Sequence, residues 1–278
     1  MSSFAYRPPT EGPYLSPLFR WAGSKRRLLP ELIKYVPQSF GWYIEPFSGS
    51  ACLFFALRPP AAILSDINAE LMHAYRVLKT HPMRLHRVVS RMPSSDAFYY
   101  ELREQSAGAG DEVAKAARFV YLNRHCFNGV YRTNRQGEFN VPRGTKLGAV
   151  PDERLFVRCA KALEAAELIT GDFESAAVRA VQGDFVYLDP PYAKIGSRRR
   201  GEYGYSSFDT PDLERLAQCL KALDDRGATF LLSYADCAEI RQIKASWHAR
   251  TLFVRRHVAG FHRHRALVRE ILVSNRRL

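Results

Sequence analysis

The chain has 278 residues, 46% of them hydrophobic, which is enough to bury a full core as one large domain or as one domain with a sizeable insertion. Lysine and arginine outnumber aspartate and glutamate by 41 to 28, a formal net charge of +13. This composition excludes a disordered tail and a mini-protein. The charge favours a polyanionic partner, with nucleic acid as the leading candidate and a merely basic soluble enzyme as the alternative.

Secreted, membrane-bound and metal-binding proteins fit the sequence poorly. The chain has no run of about 18 or more apolar residues, and its N-terminus lacks the apolar core of a signal peptide. Its five cysteines lie far apart without a CxxC pair, so neither a disulfide framework nor a zinc site is predicted. His262 and His264 have no matching cysteine or carboxylate cluster. We therefore expect a cytoplasmic protein with no membrane partner and no metal.

The predicted elements alternate between strands and helices. In chain order the predicted strands are "WYIEPF" (42–47), "AAILSD" (61–66), "AELITGDF" (166–173), "DFVYLDPP" (184–191) and "ATFLLSYAD" (228–236). Helical patterns follow several of them, as in "SACLFFAL", "AELMHAYRVLK" and "PDLERLAQCLKALDDRG", and this alternation favours βαβ units and a parallel sheet. The last two runs, "HARTLFVRRHV" and "ALVREILVSN", have no helix between them. They predict a closing antiparallel hairpin, which makes the sheet mixed.

About a hundred residues between the second and third strands do not fit this alternation. Helical stretches such as "HPMRLHRVVSRM" and "EVAKAARFVYLNRH" precede the loop-rich "CFNGVYRTNRQGEFNVPRGTKLG". We interpret them as a helical subdomain inserted between two strands of the sheet. The expected division is a catalytic domain formed by residues 1–74 and 158–278, with an inserted subdomain of residues 75–157.

Four of the predicted strands carry an acid at their carboxyl end: Glu45, Asp66, Asp172 and Asp189. Ligands of open parallel sheets bind beyond these ends, so we expect the four acids to line a single crevice. Asp66 lies about 20 residues after the first strand, where nucleoside-binding α/β folds place an acid that holds ribose hydroxyls. The small-residue turn "EPFSGS" that opens the first helix supports a nucleoside-binding crevice more weakly, because glycine and serine after a strand often serve only to form a turn.

The tetrapeptide "DPPY" (189–192) ends an apolar run. Neither Pro190 nor Pro191 donates a backbone hydrogen bond, so the strand must stop, and proline keeps the preceding residue extended. The Asp189 carboxylate and the Pro190 carbonyl then face the crevice as acceptors, which suits the exocyclic amine of a planar base. Hydrogen bonds to them would free the lone pair of the amine, and Tyr192 offers a face on which a flipped base can stack. An ordinary strand-terminal turn is the alternative.

Over nearly its whole length the chain resembles the Dam-type (D12 class) DNA adenine methyltransferases, which use S-adenosylmethionine. "FRWAGSK" is similar to the family's "KWAGGK", "EPFSGS" to "EPF.G.G", "SDIN" to its ribose-binding segment, "GDF" to the acidic dipeptide beside the adenine ring, and "DPPY" to its catalytic tetrapeptide. Within the insertion, "YLNRHCFNGVYRTNRQGEFNVPRG" resembles the family's DNA-recognition segment "LNR...NG..R.N..GEFNVP.G". This long match separates the group from methyltransferases that share only the tetrapeptide.

The resemblance implies an α/β, Rossmann-like methyltransferase fold with a mixed seven-stranded sheet and an inserted DNA-recognition subdomain. It implies that a monomer transfers a methyl group from S-adenosylmethionine to the N6 amine of a flipped adenine in double-stranded DNA. The implied catalytic residues are Asp189, Pro190, Pro191 and Tyr192. The implied cofactor-binding residues are Trp21, Ala22, Gly23, Lys25, Glu45, Phe47, Gly49, Asp66, Asn68, Asp172, Phe173 and Asp189.

The expected DNA-binding residues lie in two segments. Those in the insertion mix side chains that pair with base edges and side chains that hold phosphates, and they are Arg124, Phe127, Asn128, Arg132, Asn134 and Arg135. Arg198, Arg199 and Arg200 follow the catalytic turn directly. They fit a phosphate grip near the flipped nucleotide and a solvated loop equally well.

Two departures from the family pattern and three alternatives accompany this interpretation. Ala51 stands where the family often has a second glycine, and Phe127 stands where a family aromatic can wedge into DNA; both bear on the recognised sequence rather than on the reaction. A cytosine-N4 DNA or an adenine-N6 RNA methyltransferase would use the same tetrapeptide. A catalytically silent DNA-binding protein is the third alternative, and the intact Lys25, Asp66 and Asp189 argue against it.

Overall fold

The structure is a computed structural model that describes residues 14–145, 147–192, 208–243, 246–255 and 267–278. Within these residues, seven strands form one mixed sheet. They are β1 (Tyr43–Glu45), β2 (Ala62–Asp66), β3 (Ala166–Thr170), β4 (Phe185–Leu188), β5 (Thr229–Ala235), β6 (His248–Arg255) and β7 (Leu267–Ser274). Their order is β3-β2-β1-β4-β5-β7-β6. Strands β1 to β5 pair in parallel, whereas β7 pairs antiparallel with both β5 and β6, so the predicted mixed sheet and closing hairpin are confirmed.

Among the α-helices of the described residues, the first precedes β1 and the others lie between strands. They are α1 (Leu29–Leu32), α2 (Cys52–Leu57), α3 (Ala69–Thr80), α4 (Pro82–Ser90), α5 (Asp96–Glu104), α6 (Glu112–His125), α7 (Glu153–Leu163), α8 (Phe173–Ala177), α9 (Thr210–Asp225) and α10 (Ala238–Ile243). Most of the longer helices begin after a short polar side chain that accepts a backbone N–H of the first turn, the usual N-cap. The residues that do so include Asn68, Ser95, Asp111, Asp152 and Asp209.

Four predicted strands end earlier than the sequence pattern suggests, and two of them show why. The first stops at Glu45 because Pro46 follows it. The third stops at Thr170, and Asp172 is the N-cap of α8, where its side chain accepts the backbone N–H of Glu174. Asp172 therefore caps the start of α8 and does not belong to the end of β3.

The sheet is covered on both faces. Tyr43, Phe185 and Tyr187 belong to one apolar cluster, which packs under α2, α3, α6 and α7, while Ile44 and Val186 belong to a second cluster under α8 and α9. This alternation follows from the two-residue period of a strand. Burial on both faces explains why the central strands read as continuous apolar runs.

The chain builds the β1-β2-β3 edge first and then returns to place β4 on the other side of β1. Connections therefore leave β1 and β4 in opposite directions, and a crevice opens at the carboxyl ends of these two strands. Such a switch point is where open α/β sheets bind ligands. Glu45 at the end of β1 and Asp189 directly after β4 both lie there.

The segment between β2 and β3 has a small core of its own, formed by Tyr99, Leu102, Tyr121, Leu122, Cys126, Phe139 and Val141. Helices α3, α4, α6 and α7 also contribute to the main core, however. The expected boundaries, after residue 74 and before residue 158, fall inside α3 and α7, which pack against each other. Those positions are therefore not linkers, and a separate unit of residues 75–157 stays a prediction. Among the helices of the described residues, none has the length and apolarity needed to cross a bilayer.

Candidate active site

A cavity of about 920 Å³ opens at the carboxyl ends of β1, β2 and β4. The four strand-end acids all line it, as the parallel sheet predicts. The structure brings every residue expected to bind the cofactor or act in catalysis to its wall. These residues are Trp21, Ala22, Gly23, Lys25, Glu45, Phe47, Gly49, Asp66, Asn68, Asp172, Phe173, Asp189, Pro190, Pro191 and Tyr192.

Asp189 is held by two donors on one oxygen. Its Oδ1 accepts a hydrogen bond from Lys25 Nζ at 2.6 Å and another from Ser233 Oγ at 2.9 Å. The Lys25 side chain is only 4% exposed and also donates to the Gly23 carbonyl at 3.1 Å. The hydroxyls of Tyr187 and Ser233 lie 3.0 Å apart. This network fixes the carboxylate, and among the described residues no donor contacts its Oδ2.

Lys25 and Asp189 each stabilise the charged form of the other. Burial lowers the pKa of Lys25, but Asp189, Tyr192 and Glu270 together outweigh it and hold that pKa above its usual range. Burial raises the pKa of Asp189, while the Lys25 ammonium and the Ser233 hydroxyl oppose the rise. We take the pair to be an ammonium and a carboxylate near neutral pH. Lys25 thus keeps a buried acid available as a hydrogen-bond acceptor.

Tyr192 is fixed at both its ring and its hydroxyl. The hydroxyl donates to Glu270 Oε1 at 3.0 Å, and the ring packs edge-to-face on Tyr234 with centroids 5.1 Å apart. Lys25 Nζ lies 5.5 Å from the Tyr192 ring centroid. Glu270, on β7, is 1% exposed. The antiparallel strand therefore supplies the acid that orients the tetrapeptide tyrosine.

The turn after β1 is built around Asp66. Its Oδ2 accepts the backbone N–H of Gly49, and its Oδ1 accepts that of Asn68, each at 2.9 Å. Burial raises the pKa of Asp66, and these two hydrogen bonds oppose the rise. Gly49 has φ +46°, and a Cβ there would lie 2.6 Å from Cδ1 of Trp21. Only glycine lets the indole pack this closely.

Ala51 adopts the backbone conformation that its family counterpart would favour. Its φ is +50°, in the left-handed region, although it carries a side chain. The expected departure at this position therefore leaves the turn in the glycine-like form at a strain cost of roughly 1–2 kcal/mol. Nearby, Glu45 is 2% exposed and accepts the Tyr43 hydroxyl at 2.8 Å. Burial raises the pKa of Glu45 well above its usual range, and the Asp189 carboxylate adds to the rise.

An aromatic wall faces these acids. Phe47 and Phe173 stack with ring centroids 5.0 Å apart and planes 23° apart, and Phe208 packs edge-on to Phe47 at 6.0 Å. The Arg215 guanidinium lies 4.9 Å from the Phe173 ring centroid and donates to Asp172 Oδ1 at 2.6 Å. Asp172 therefore lines the cavity as one half of an ion pair, a partner that the sequence did not indicate.

The expected DNA-binding residues of the insertion divide into two groups. Asn134 and Arg135 line the cavity mouth, and the exposed Phe127, Asn128 and Arg132 lie on the same segment. Asn128 has a positive φ of 55°, and the Phe127 side chain before it is 40% exposed. Asn134 closes the turn by accepting the backbone N–H groups of residues 136 and 138 and by donating to the Glu138 carboxylate.

Arg124 differs from the expectation. Its guanidinium donates to the Leu18 carbonyl at 2.6 Å, and burial lowers its pKa to about 10. It binds the segment before Trp21 to α6 instead of facing outward, because the last turn of α6 directs it into the protein. Arg198, Arg199 and Arg200 lie outside the described residues.

Comparison with known proteins identifies the family. The model of the D12 class N6 adenine-specific DNA methyltransferases matches residues 21–258. This chain belongs to that family. It is similar to the Type II methyltransferase M1.LlaDCHI of Lactococcus lactis subsp. cremoris, with 32% identity over 271 residues that cover 94% of this chain and 95% of that protein. The family match confirms the Rossmann-like methyltransferase fold and the adenine-specific DNA methylation that the sequence resemblance implied.

Two other relatives agree. The Type II methyltransferase M.MjaIII of Methanocaldococcus jannaschii is 34% identical over 242 residues, covering 79% of this methyltransferase and 84% of that protein. A DNA adenine methylase of Serratia marcescens is 34% identical over 205 residues, covering 71% and 75% respectively. The chain is an adenine-specific DNA methyltransferase by family, and DNA is the substrate class that the family implies.

The family also implies S-adenosylmethionine, and the cavity of this adenine methyltransferase fits it. The Asp66 carboxylate, with one lone pair on each oxygen used by the backbone, offers acceptors for vicinal hydroxyls. Phe47 and Phe173 offer flat apolar faces for an adenine ring. In the described part of the chain, no group of three or more His, Cys, Asp or Glu is arranged to hold a metal ion.

Several residues of the methyltransferase site were missing from the sequence prediction. Glu270 and Ser233 had a usable signal, since each is a polar residue inside an apolar, buried strand. Ile67, 67% exposed on the cavity wall next to Asp66, could have been found as an apolar residue in a polar turn. Arg215 and Tyr131 gave no local signal, because only the fold brings them to the cavity.

Proposed function

We propose that this protein transfers a methyl group from S-adenosylmethionine to the N6 amine of an adenine flipped out of double-stranded DNA, at a specific site. The observation that carries the proposal is the fixed Asp189 carboxylate, held on Oδ1 by Lys25 and Ser233 at the switch point of the sheet. The family match makes adenine the expected base.

The tetrapeptide supplies the acceptors. With Oδ1 of Asp189 engaged, Oδ2 is the oxygen that accepts one amine hydrogen, and the Pro190 carbonyl accepts the other. Both bonds draw the hydrogens away from the ring plane, which localises the nitrogen lone pair for attack. Asp189 acts here as a fixed acceptor, so it contributes by orienting the amine and by its charge rather than as a strong base.

Tyr192 supplies the stacking face. A base that leaves the duplex loses its stacking, at a cost of a few kcal/mol, and an aromatic ring in the enzyme restores part of it. Because the Tyr192 hydroxyl is bound to Glu270 and its ring rests on Tyr234, the face is oriented before the base arrives. Pro191 keeps the intervening backbone rigid.

The residues that would hold S-adenosylmethionine are those around the turn after β1 and the aromatic wall: Trp21, Ala22, Gly23, Glu45, Phe47, Gly49, Asp66, Asn68, Asp172 and Phe173. When bound, it supplies a methyl group already activated by positively charged sulfur. The chain's own task is therefore mainly positioning. Lys25 lines the same cavity, contacts Asp189 and supports the acceptor, and its expected contact with the cofactor stays a prediction.

Double-stranded DNA is the proposed partner of this basic protein. The net charge of +13 favours phosphate binding. In this proposal Arg135 and Asn134, which line the cavity, contact the strand near the flipped nucleotide, and the exposed Phe127 fills the gap that this nucleotide leaves. Arg132 and Asn128 offer base-edge or phosphate contacts on the same segment. We propose that the protein acts as a monomer in the cytoplasm.

The test is product analysis. The protein is incubated with methyl-labelled S-adenosylmethionine and duplex DNA or RNA in parallel, and the labelled nucleosides are separated. N6-methyladenine from duplex DNA is expected, with loss of transfer in Asp189→Ala. N4-methylcytosine as the only product, or transfer to RNA alone, would overturn the proposal. Asp225→Ala, which removes an exposed acid on α9, is the matched control and keeps full activity.

A further inference from the structure

Tyr131 connects the cavity to the segment that carries the expected DNA-binding residues. It lies in the insertion, between Phe127 and Asn134, yet its ring lines the cavity. There it stacks on Trp21, with ring centroids 5.7 Å apart and planes 19° apart. A residue of the DNA-facing segment thus forms the wall of the cofactor cavity together with a residue of the N-terminal segment.

The Tyr131 ring is held by Glu70 of α3, outside the expected insertion, and by residues of the insertion itself. Its hydroxyl donates to Glu70 Oε1 at 2.7 Å, and Arg118 Nη1 contacts Glu70 Oε2 at 3.3 Å. Arg118 is 5% exposed and also donates to two carbonyls of α5. The ring of Phe139 lies 5.6 Å from that of Tyr131, centroid to centroid, across the turn of the segment. The tyrosine is therefore a fixed part of the insertion and not a mobile surface group.

Trp21 is held from the cavity side and from α6. It packs on Gly49, whose N–H binds Asp66. The residue before it is clamped by Asn123, which accepts the backbone N–H of Arg20 at 2.8 Å and donates to the Arg20 carbonyl at 2.6 Å. A ligand that contacts Trp21 and Asp66 therefore bears on the same stack that fixes the DNA-facing segment.

We propose that Tyr131 is a positioning residue that couples the two substrates: filling the cavity tightens DNA binding, and DNA binding tightens the hold on the cavity ligand. This inference rests on the proposed function. Coupling between two sites is reciprocal, so one factor describes both effects. The ring stack carries the coupling, and the hydroxyl bond to Glu70 sets the position of the ring.

The experiment measures the dissociation constant of S-adenosylhomocysteine, the product left after methyl transfer, by calorimetry with the full chain. Each protein is titrated alone and in the presence of a duplex carrying the site that the wild type methylates. For the wild type we expect DNA to tighten binding by about fivefold or more. In Tyr131→Ala the ratio falls to about one, and in Tyr131→Phe, which keeps the stack, it lies between the two.

Tyr100→Ala is the matched control, since it removes a tyrosine of the insertion that is 40% exposed and does not line the cavity. It keeps the wild-type ratio. Thermal unfolding of each variant shows that the fold is retained. Equal weakening with and without DNA would mean that Tyr131 is only a cavity wall, and an unchanged ratio would mean that it couples nothing; either overturns the inference. If the wild type itself neither binds the ligand nor methylates DNA, the proposed function fails instead.

Discussion

Replacement of Lys25 by methionine tests how the active site keeps its acid in use. Methionine approximates the length of the lysine side chain but removes the ammonium that contacts Asp189 Oδ1 at 2.6 Å. Lys25 is 4% exposed and Asp189 18% exposed, so the carboxylate that remains is poorly hydrated. Two quantities change: the free energy of unfolding and the pH dependence of methyl transfer.

Removing one partner of a buried ion pair costs about 3–5 kcal/mol. Asp189 keeps the Ser233 hydrogen bond and some contact with solvent, so we expect the lower end, about 3 kcal/mol of unfolding free energy. Urea unfolding at pH 7 measures it. Lys34→Met removes an exposed lysine that pairs with Glu31 at the surface, and it costs less than about 1 kcal/mol.

The pH profile separates catalytic support from packing. Lys25 lowers the pKa of Asp189, so its loss raises that pKa further. Only the ionised carboxylate is the acceptor, so the acidic limb of kcat moves to higher pH, and activity recovers as the pH rises. Single-turnover rates across pH 5 to 9 report the limb. A limb at the wild-type position, with the rate reduced equally at every pH, would refute the view that Lys25 acts through the charge of Asp189.

Three further predictions concern the turn, the tyrosine and the DNA face. Gly49→Ala forces a left-handed residue to carry a Cβ against Trp21, so calorimetry should show about tenfold weaker S-adenosylhomocysteine binding; an unchanged affinity contradicts the packing argument. Glu270→Leu removes the acceptor that binds the Tyr192 hydroxyl and lowers single-turnover methylation about tenfold, whereas Glu270→Gln keeps an acceptor and most of the rate; equal rates in both variants would show that Glu270 does not act through Tyr192. DNA affinity should fall steeply with salt, and Arg135→Ala should reduce the slope of log K against log[salt] by about one; a flat dependence argues against phosphate binding.

Much of the fold followed from sequence periodicity and one geometric rule. Apolar runs marked the strands, and because parallel strands present their carboxyl ends together, four separated acids could be placed in one crevice. The closing hairpin was predictable because no helical pattern separates its two strands. Strand ends were less certain: Asp172 proved to be a helix cap, and a cap and a strand end share the same residue types.

The partners of the site residues were not predictable. Lys25 and Asp189 are 164 positions apart, and Tyr192 and Glu270 are 78 apart, so no local pattern links them. Arg124 also has a partner that the sequence did not indicate. As a basic residue of the recognition segment it was expected to bind DNA, but the direction of its side chain depends on where α6 ends and on the Leu18 carbonyl that accepts its hydrogen bond.

The continuity of α3 and α7 bears on attempts to change specificity. A chimaera that exchanged the whole of residues 75–157 would cut both helices and interrupt the packing they share with the sheet. A graft limited to residues 127–143 would leave those helices intact, although it would also replace Phe139 and Val141 of the small core. Such a graft must keep an aromatic ring opposite Trp21, since the transplanted segment also lines the cavity at the carboxyl ends of the strands.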